Sequence, residues 1–290
     1  MASITLVEAS KLGLNDLATG VIESIVTVND MFQFLPFSPV DGNAKAYNRE
    51  NVLGDAQSLA IGGTITAKAA ASYTQVVTPL TTLIGDAEVN GLLQAQNIGG
   101  NAGNDLVSLQ IASKAKSVGR LYQNYLINGD SATGAQFDGL AKLVSAGQTV
   151  TGALSFESLD EVLHKVKSKD GMVDALVMNE AQIRAYRTLT RALGGTTGEW
   201  VEINGIKFNS YAGVPILRND WILDGAVYAV NFDDGSEKVG IAGLTGVNDM
   251  GVSVQAVGAS ETKDEDIFRI KFYSSFAVFS DLAVAKLVAA

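Results

Sequence analysis

The chain has 290 residues, 31 acidic against 21 basic, and a formal net charge of −10. Apolar residues make up 47% and charged residues 18%, a globular composition long enough for roughly two domains and a sizeable core. The acidic balance argues against a protein that coats phosphate backbones, because such binding needs a basic footprint. There is no cysteine, hence no disulfide, thiolate nucleophile or thiolate metal site, and one histidine is a thin supply for acid–base chemistry. These counts point to a structural protein.

Met1 to Leu14 carries Glu8 and Lys11 where a signal peptide needs an unbroken apolar run. No window reaches the ~20 apolar residues of a membrane span, and Phe276 to Ala290 is interrupted by Asp281 and Lys286. The expectation is a chain that is made in the cytoplasm and stays soluble there, with no membrane partner.

In chain order, Asn15 to Val28 places Leu17, Val21, Ile22 and Ile25 on one helical face. Met31 to Pro39 is aromatic and extended by Pro36 and Pro39, without an evident strand partner. Such an arm packs either on its own domain or on a neighbouring subunit. Asn43 to Asn51 roughly alternates in polarity, and Thr64 to Val77 is nearly all β-branched residues, Ala and Ser, with Lys68 the only charge. Together they predict a long hairpin with too little apolar mass to stand alone. After Pro79 a short helical pattern is expected beyond Gly85. A longer helix is predicted over Asn104 to Ile127, with Asn104 as cap and Val107, Ile111, Ala115, Val118, Tyr122 and Tyr125 as its apolar stripe.

Ser155 caps a predicted helix with Leu159, Val162, Leu163 and Val166 inward, and Val173 to Met178 reads as a buried strand. Asn179 with Gln182 forms a capping pair for a helix over Glu180 to Leu193. Asn204-Gly205 between Trp200–Ile203 and Ile206–Phe208 is a hairpin signal. Val227–Phe232 and Val239–Ile241 read as a strand pair joined by Asp233-Asp234-Gly235, and Gly251–Val257 and Ile267–Phe279 as the last β runs. The class is α+β rather than an alternating parallel fold.

No enzymatic motif is legible. His164 has no local orienting partner, and Asp264-Glu265-Asp266 and Asp233-Asp234 lack calcium-loop spacing and read as solvated turns. Gly129 to Gly134 has the two-glycine frame of a phosphate loop, but Ala135-Gln136 follow where Lys and Ser/Thr are needed, so it is a turn. No cofactor or metal site is expected.

The order of features resembles the major capsid protein of tailed bacteriophages, the Hong Kong 97-type shell fold. The pieces that carry the resemblance are Leu35-Pro36-Phe37, Gly42, Tyr47-Asn48-Arg49-Glu50, Leu176-Val177-Met178-Asn179-Glu180, Gly213-Val214-Pro215-Ile216 before Asn219-Asp220, and Phe268 to Tyr273 with Phe276-Ala277-Val278. The resemblance covers essentially the whole chain and rests on order and spacing.

It implies an N-terminal arm over 1–40, an extended hairpin loop over 41–80, and a peripheral domain from 81–149 and 266–290 with spine helix 104–127. An axial domain over 150–265 completes the layout. It further implies pentamers and hexamers of an icosahedral head that encloses double-stranded DNA without sequence-specific binding. The virion would be its location, after assembly in the host cytoplasm. Phe34, Phe37, Tyr47, Arg49, Glu50 and Lys68 would make contacts between subunits. Because the arm begins at Met1, scaffolding would come from a separate protein unless the chain is already trimmed. A portal and a decoration protein are further implied partners. Some relatives cross-link a hairpin Lys to an Asn of another subunit, and Lys45 and Lys68 lie in the matching region, but that chemistry is not general in the family. An encapsulin-type compartment enclosing a cargo enzyme shares the fold and stands as the alternative.

Overall fold

The computed structural model describes residues 29–97, 106–194, 199–203, 205–247 and 251–289. The expected helix over Asn15–Val28, the Asn104 cap and Asn204 lie outside the described residues. Two sheets carry the fold. A five-stranded sheet has the order β1 (Phe37–Val40), β11 (Ile241–Gly246), β13 (Glu265–Val278), β12 (Val252–Ala259), with β4 (Thr81–Asn90) also paired to β13. A seven-stranded sheet has the order β5 (Thr149–Thr151), β14 (Val284–Val288), β10 (Ala226–Val230), β6 (Ala175–Met178), β9 (Val214–Arg218), β8 (Ile206–Tyr211), β7 (Glu199–Ile203). A separate two-stranded ribbon pairs β2 (Ala44–Val52) with β3 (Ser72–Pro79). The mixture of helices with antiparallel and a few parallel pairings agrees with the α+β reading.

The helices are α1 (Met31–Phe34), α2 (Gly91–Asn97), α3 (Leu106–Asn128), α4 (Leu140–Leu143), α5 (Phe156–Lys165) and α6 (Glu180–Ala192). At ~1.5 Å per residue α3 is a rod of about 34 Å. It lies on one face of the five-stranded sheet, where Val118, Tyr122 and Leu126 meet Leu83, Ala87, Ile270 and Phe272. Gly85 on β4 lets it come close, since a Cβ there would stand 3.0 Å from the Lys114 side chain. Tyr122 is fully buried and meets the rings of Phe32, Phe37, Phe137 and Phe272.

Strands β6 and β10 are buried at every position, as their unbroken apolar runs require of strands covered on both faces. One face joins the core under α3, and the other is covered by α5 and α6 through Leu159, Val162, Ile183 and Tyr186. Ser155 and Ser158 form a reciprocal capping box for α5, and the Asn179 side chain accepts from the Gln182 N–H at the start of α6. The β7–β8 hairpin is formed as expected, with Ile203 opposite Ile206 and Gly205 at φ 80°.

Five expectations are corrected. Residues 81–90 form strand β4, and the helix starts only at Gly91. Their inward set, Leu83, Ala87 and Val89, fits a strand once β13 is alongside. The 227–232 and 239–241 runs are not a pair: β10 and β11 sit in different sheets, joined only by a parallel bridge from Phe232 to Ile241. A Cβ at Gly240 would stand 2.3 Å from the Phe232 carbonyl carbon, so the chain crosses itself there rather than folding back. The returning hairpin strand begins at Ser72, not Thr64, because residues 53–71 find no partner strand and β-branched content alone does not make one. The arm from 31 to 40 is not extended throughout: it turns through α1, then β1 adds in parallel to β11, with Met31, Leu35 and Val40 buried in its own chain. Finally, sheet membership departs from a division at residue 266, since β11 and β12 belong to the five-stranded sheet and β14 to the seven-stranded one.

Candidate inter-subunit surfaces

The β2–β3 ribbon projects from the two sheets and is anchored at its base alone. Alternation along β2 turns Lys45, Tyr47 and Arg49 to one side, where they meet the two segments by which the chain crosses between sheets. At the β13–β14 crossing, the Tyr47 hydroxyl donates to the Val278 carbonyl at 2.9 Å, and its ring meets Phe279 edge-on at 5.2 Å. Arg49 Nε donates to the Phe279 carbonyl at 3.1 Å, a second guanidinium nitrogen to the Val278 carbonyl, and a third pairs with Asp281 at 2.5 Å. The guanidinium also lies over the Tyr47 ring, 5.5 Å from its centre. At the β10–β11 crossing, Lys45 pairs with Glu237. Burial pushes the Tyr47 hydroxyl above its ordinary pKa, with the Arg49 charge opposing, so it remains a donor across the neutral range.

Beyond this base the ribbon is open. Val52, Leu53, Leu59, Ile61 and Ile65 are exposed, Ile61 completely. Between Val52 and Ser72 the chain is held chiefly by the Gln57 carboxamide, which accepts from Thr66 and Ala67 and donates to the Thr64 carbonyl. Five large apolar side chains on one uncovered excursion exceed the scattered exposure of a monomer's surface.

The expected contact residues therefore divide. Tyr47 and Arg49 come together as internal anchors. Phe34 meets Phe208, and Phe37, 37% exposed, meets Phe32, Tyr122 and Phe272, so both pack within the chain. Glu50 and Lys68 are exposed on the outer ribbon, away from the anchor. Glu237 and Asp281, which complete the anchor, went unmarked in the sequence; each lies more than 180 residues from its partner and no local pattern reveals it.

The remaining polar clusters are structural. His164 is exposed in the last turn of α5. The Asp233 carboxylate accepts from the Gly235 and Glu237 N–H groups and is buried, while Asp234, Gly235 and Ser236 of the same turn are exposed, so the turn is solvated except at Asp233. Gly129–Gly134 is a turn in which Asp130 accepts from the Ala132 N–H and pairs with Lys142 at 2.6 Å. Among the described residues no group of three His, Asp or Glu side chains is placed to hold a metal ion, and no helix is long and apolar enough to cross a membrane.

No family model matches the sequence, and no curated protein matches it. Solved structures do. The capsid of an empty GTA particle superposes with a TM-score of 0.78 at 14% identity, covering 100% of both chains. The fold is the Hong Kong 97-type shell fold. The cyanophage A-1(L) capsid shares it with a TM-score of 0.74 at 12% identity, over 98% of this chain and 99% of that one. A holo-SrpI encapsulin complex from Synechococcus elongatus PCC 7942 shares it at 0.77 and 20% identity, over 99% of this chain and 96% of that one. The shell fold thus spans the two sheets, the spine helix α3 and the projecting ribbon, from end to end.

Proposed function

We propose that the chain is a structural shell subunit, the major capsid protein of an icosahedral phage head that encloses double-stranded DNA. The observation that carries the reading is the ribbon: anchored at its base, apolar and uncovered beyond it, on a fold shared along its whole length with capsid shells. An isolated two-stranded ribbon is at best marginal in water, so its outer part gains order by lying on another copy. In this reading Val52 to Ile65, with Glu50 and Lys68 beside them, make the contact between subunits, while Tyr47 and Arg49 set the angle at which the ribbon leaves. The α3 layer and the five-stranded sheet form the peripheral domain, and the seven-stranded sheet with α5 and α6 forms the axial one. The subunit is not an enzyme and uses no cofactor, and its virion location, scaffolding protein, portal and decoration partners follow from the same reading.

The test is assembly. The purified chain, alone and with co-expressed scaffolding protein, is sized by light scattering and imaged by negative stain. Pentamers, hexamers, shells or tubes are expected. A chain that stays monomeric under both conditions and under crowding refutes the proposal. The likeness to the encapsulin complex supports a second reading, a compartment enclosing a protein cargo. Small particles that form without scaffolding and contain protein rather than DNA would favour it.

A further inference from the structure

The chain's seven arginines divide into two groups. Arg49 holds Asp281 and two carbonyls, Arg120 lies over the Trp221 ring, Arg218 pairs with Glu180 and Asp220, and Arg269 pairs with Asp86. The other three, Arg184, Arg187 and Arg191, are all exposed on α6 and make no ion pair or ring contact among the described residues. At 3.6 residues per turn they fall in a sector about 60° wide on one flank of that helix. Tyr186 reaches Phe156 of α5 from the other side of the helix, so the arginine flank faces away from α5. Arg191 suits the negative end of the α6 dipole, but Arg184 and Arg187 stand further back, and among the described residues nothing in the chain pairs with their guanidinium groups.

A complementary row lies on the same face of the seven-stranded sheet. Helix α5 exposes Glu157 and Glu161, neither of which has a partner among the described residues. They are four residues apart, as are Arg187 and Arg191, so both pairs repeat at about 6 Å along their helices. Asp160, between them in sequence, is already held by the Tyr211 hydroxyl at 2.6 Å. Among the described residues no ion pair joins the arginines of α6 to the ridge of α5 within one copy. Every copy carries both rows, which is the condition for a head-to-tail contact that closes into a ring.

We propose that the Arg184, Arg187 and Arg191 flank of α6 docks on the Glu157 and Glu161 ridge of α5 in the next copy around a capsomer. This rests on the shell reading and names the charged contact inside it. Guanidinium–carboxylate pairs suit the role, since their paired hydrogen bonds fix orientation as well as attraction.

A charge exchange tests it, with the wild-type full chain assembled in parallel. R187E/R191E is expected to lower the assembled fraction at least tenfold while melting close to wild type, because both positions are exposed. E157R/E161R is expected to fail in the same way, and the fourfold exchange carrying both pairs is expected to recover rings and shells. Normal assembly of R187E/R191E, or no recovery in the fourfold exchange, overturns the inference while leaving the shell reading intact. Normal shells that package less DNA would also overturn it and assign the arginines to nucleic acid. A wild-type chain that never assembles refutes the shell reading itself, and this contact with it.

Discussion

Arg49→Ala removes the main polar anchor of the ribbon. The side chain makes two charge-assisted bonds to carbonyls of the β13–β14 crossing and an ion pair to Asp281. Asp281 is about half exposed, so the pair contributes well under ~1 kcal/mol. Each bond from a charged donor contributes about 1.5 kcal/mol or more, though partial exposure of Arg49 trims the sum. The net expectation is about 2–3 kcal/mol, confined to the contact between ribbon and body. At ~1.4 kcal/mol per tenfold, that is roughly a 30- to 150-fold rise in the open population. Hydrogen exchange on unassembled subunits reads it directly. Amides of β2 and β3 should exchange faster by that factor, because a ribbon released from the body is only marginally stable. Amides of β6 and β10 should not change. Arg49→Lys keeps the charge but loses the fork and should fall between the two. Unchanged exchange in the ribbon, or uniform acceleration through both sheets, would refute the idea that this anchor holds the ribbon.

Three further outcomes are expected. Tyr122→Ala empties the centre of the aromatic cluster under α3 and should cost about 3–5 kcal/mol by chemical denaturation. Tyr122→Phe should cost about 1 kcal/mol or less, since the hydroxyl's contact with the Ser275 carbonyl is long at 3.4 Å. Gly243→Ala would place a Cβ 2.5 Å from the Phe37 ring, opposite it in the β1–β11 ladder; a loss of about 1–3 kcal/mol is expected in a thermal melt, and a neutral result would contradict the packing described for the arm. The Arg269 guanidinium, bonded to Asp86 at 2.8 and 2.9 Å, holds that carboxyl below the usual range. A depressed folded-state pKa stabilises fully above the unfolded value of about 3.9 and loses that contribution as pH falls through the folded one. The gap in melting temperature between wild type and Asp86→Asn should therefore be level from pH 8 to 5 and close in stronger acid; a gap that widens on acidification would reverse the assigned sign.

What the sequence makes legible is local. Ser155 and Asn179 announce their helices because a cap acts within three residues, and Gly205 marks a turn whose chemistry is complete in four. The run Ala175 to Met178 is apolar throughout because both its faces are covered. Strand β4 escapes because Leu83 and Ala87, four apart, fit either period, and the neighbour that decides between them, β13, lies some 180 residues on. The separation of β10 from β11 escapes for a similar reason. Their connecting turn reads as a hairpin, yet their partners are β6, β14, β1 and β13, all distant in sequence.

The same distance effect explains why the contact residues were legible as a group but not by role. Phe37, Tyr47 and Arg49 stand out in an arm and ribbon that lack a core of their own, and that lack correctly signals that they need a partner. It does not say which partner. Here the partners are Tyr122, Val278, Phe279 and Asp281, within the chain, so these residues fix the ribbon and leave their polar atoms already engaged. On the proposed shell reading, contact between copies would fall to what remains unpaired: the apolar run from Val52 to Ile65 and the charged rows of α5 and α6. The two have different work. Subunits carrying a net charge of −10 repel one another, so apolar area must supply most of the attraction that joins them. Charged rows add little net affinity at a wet surface but penalise a wrong angle, which is what a ring that must close requires.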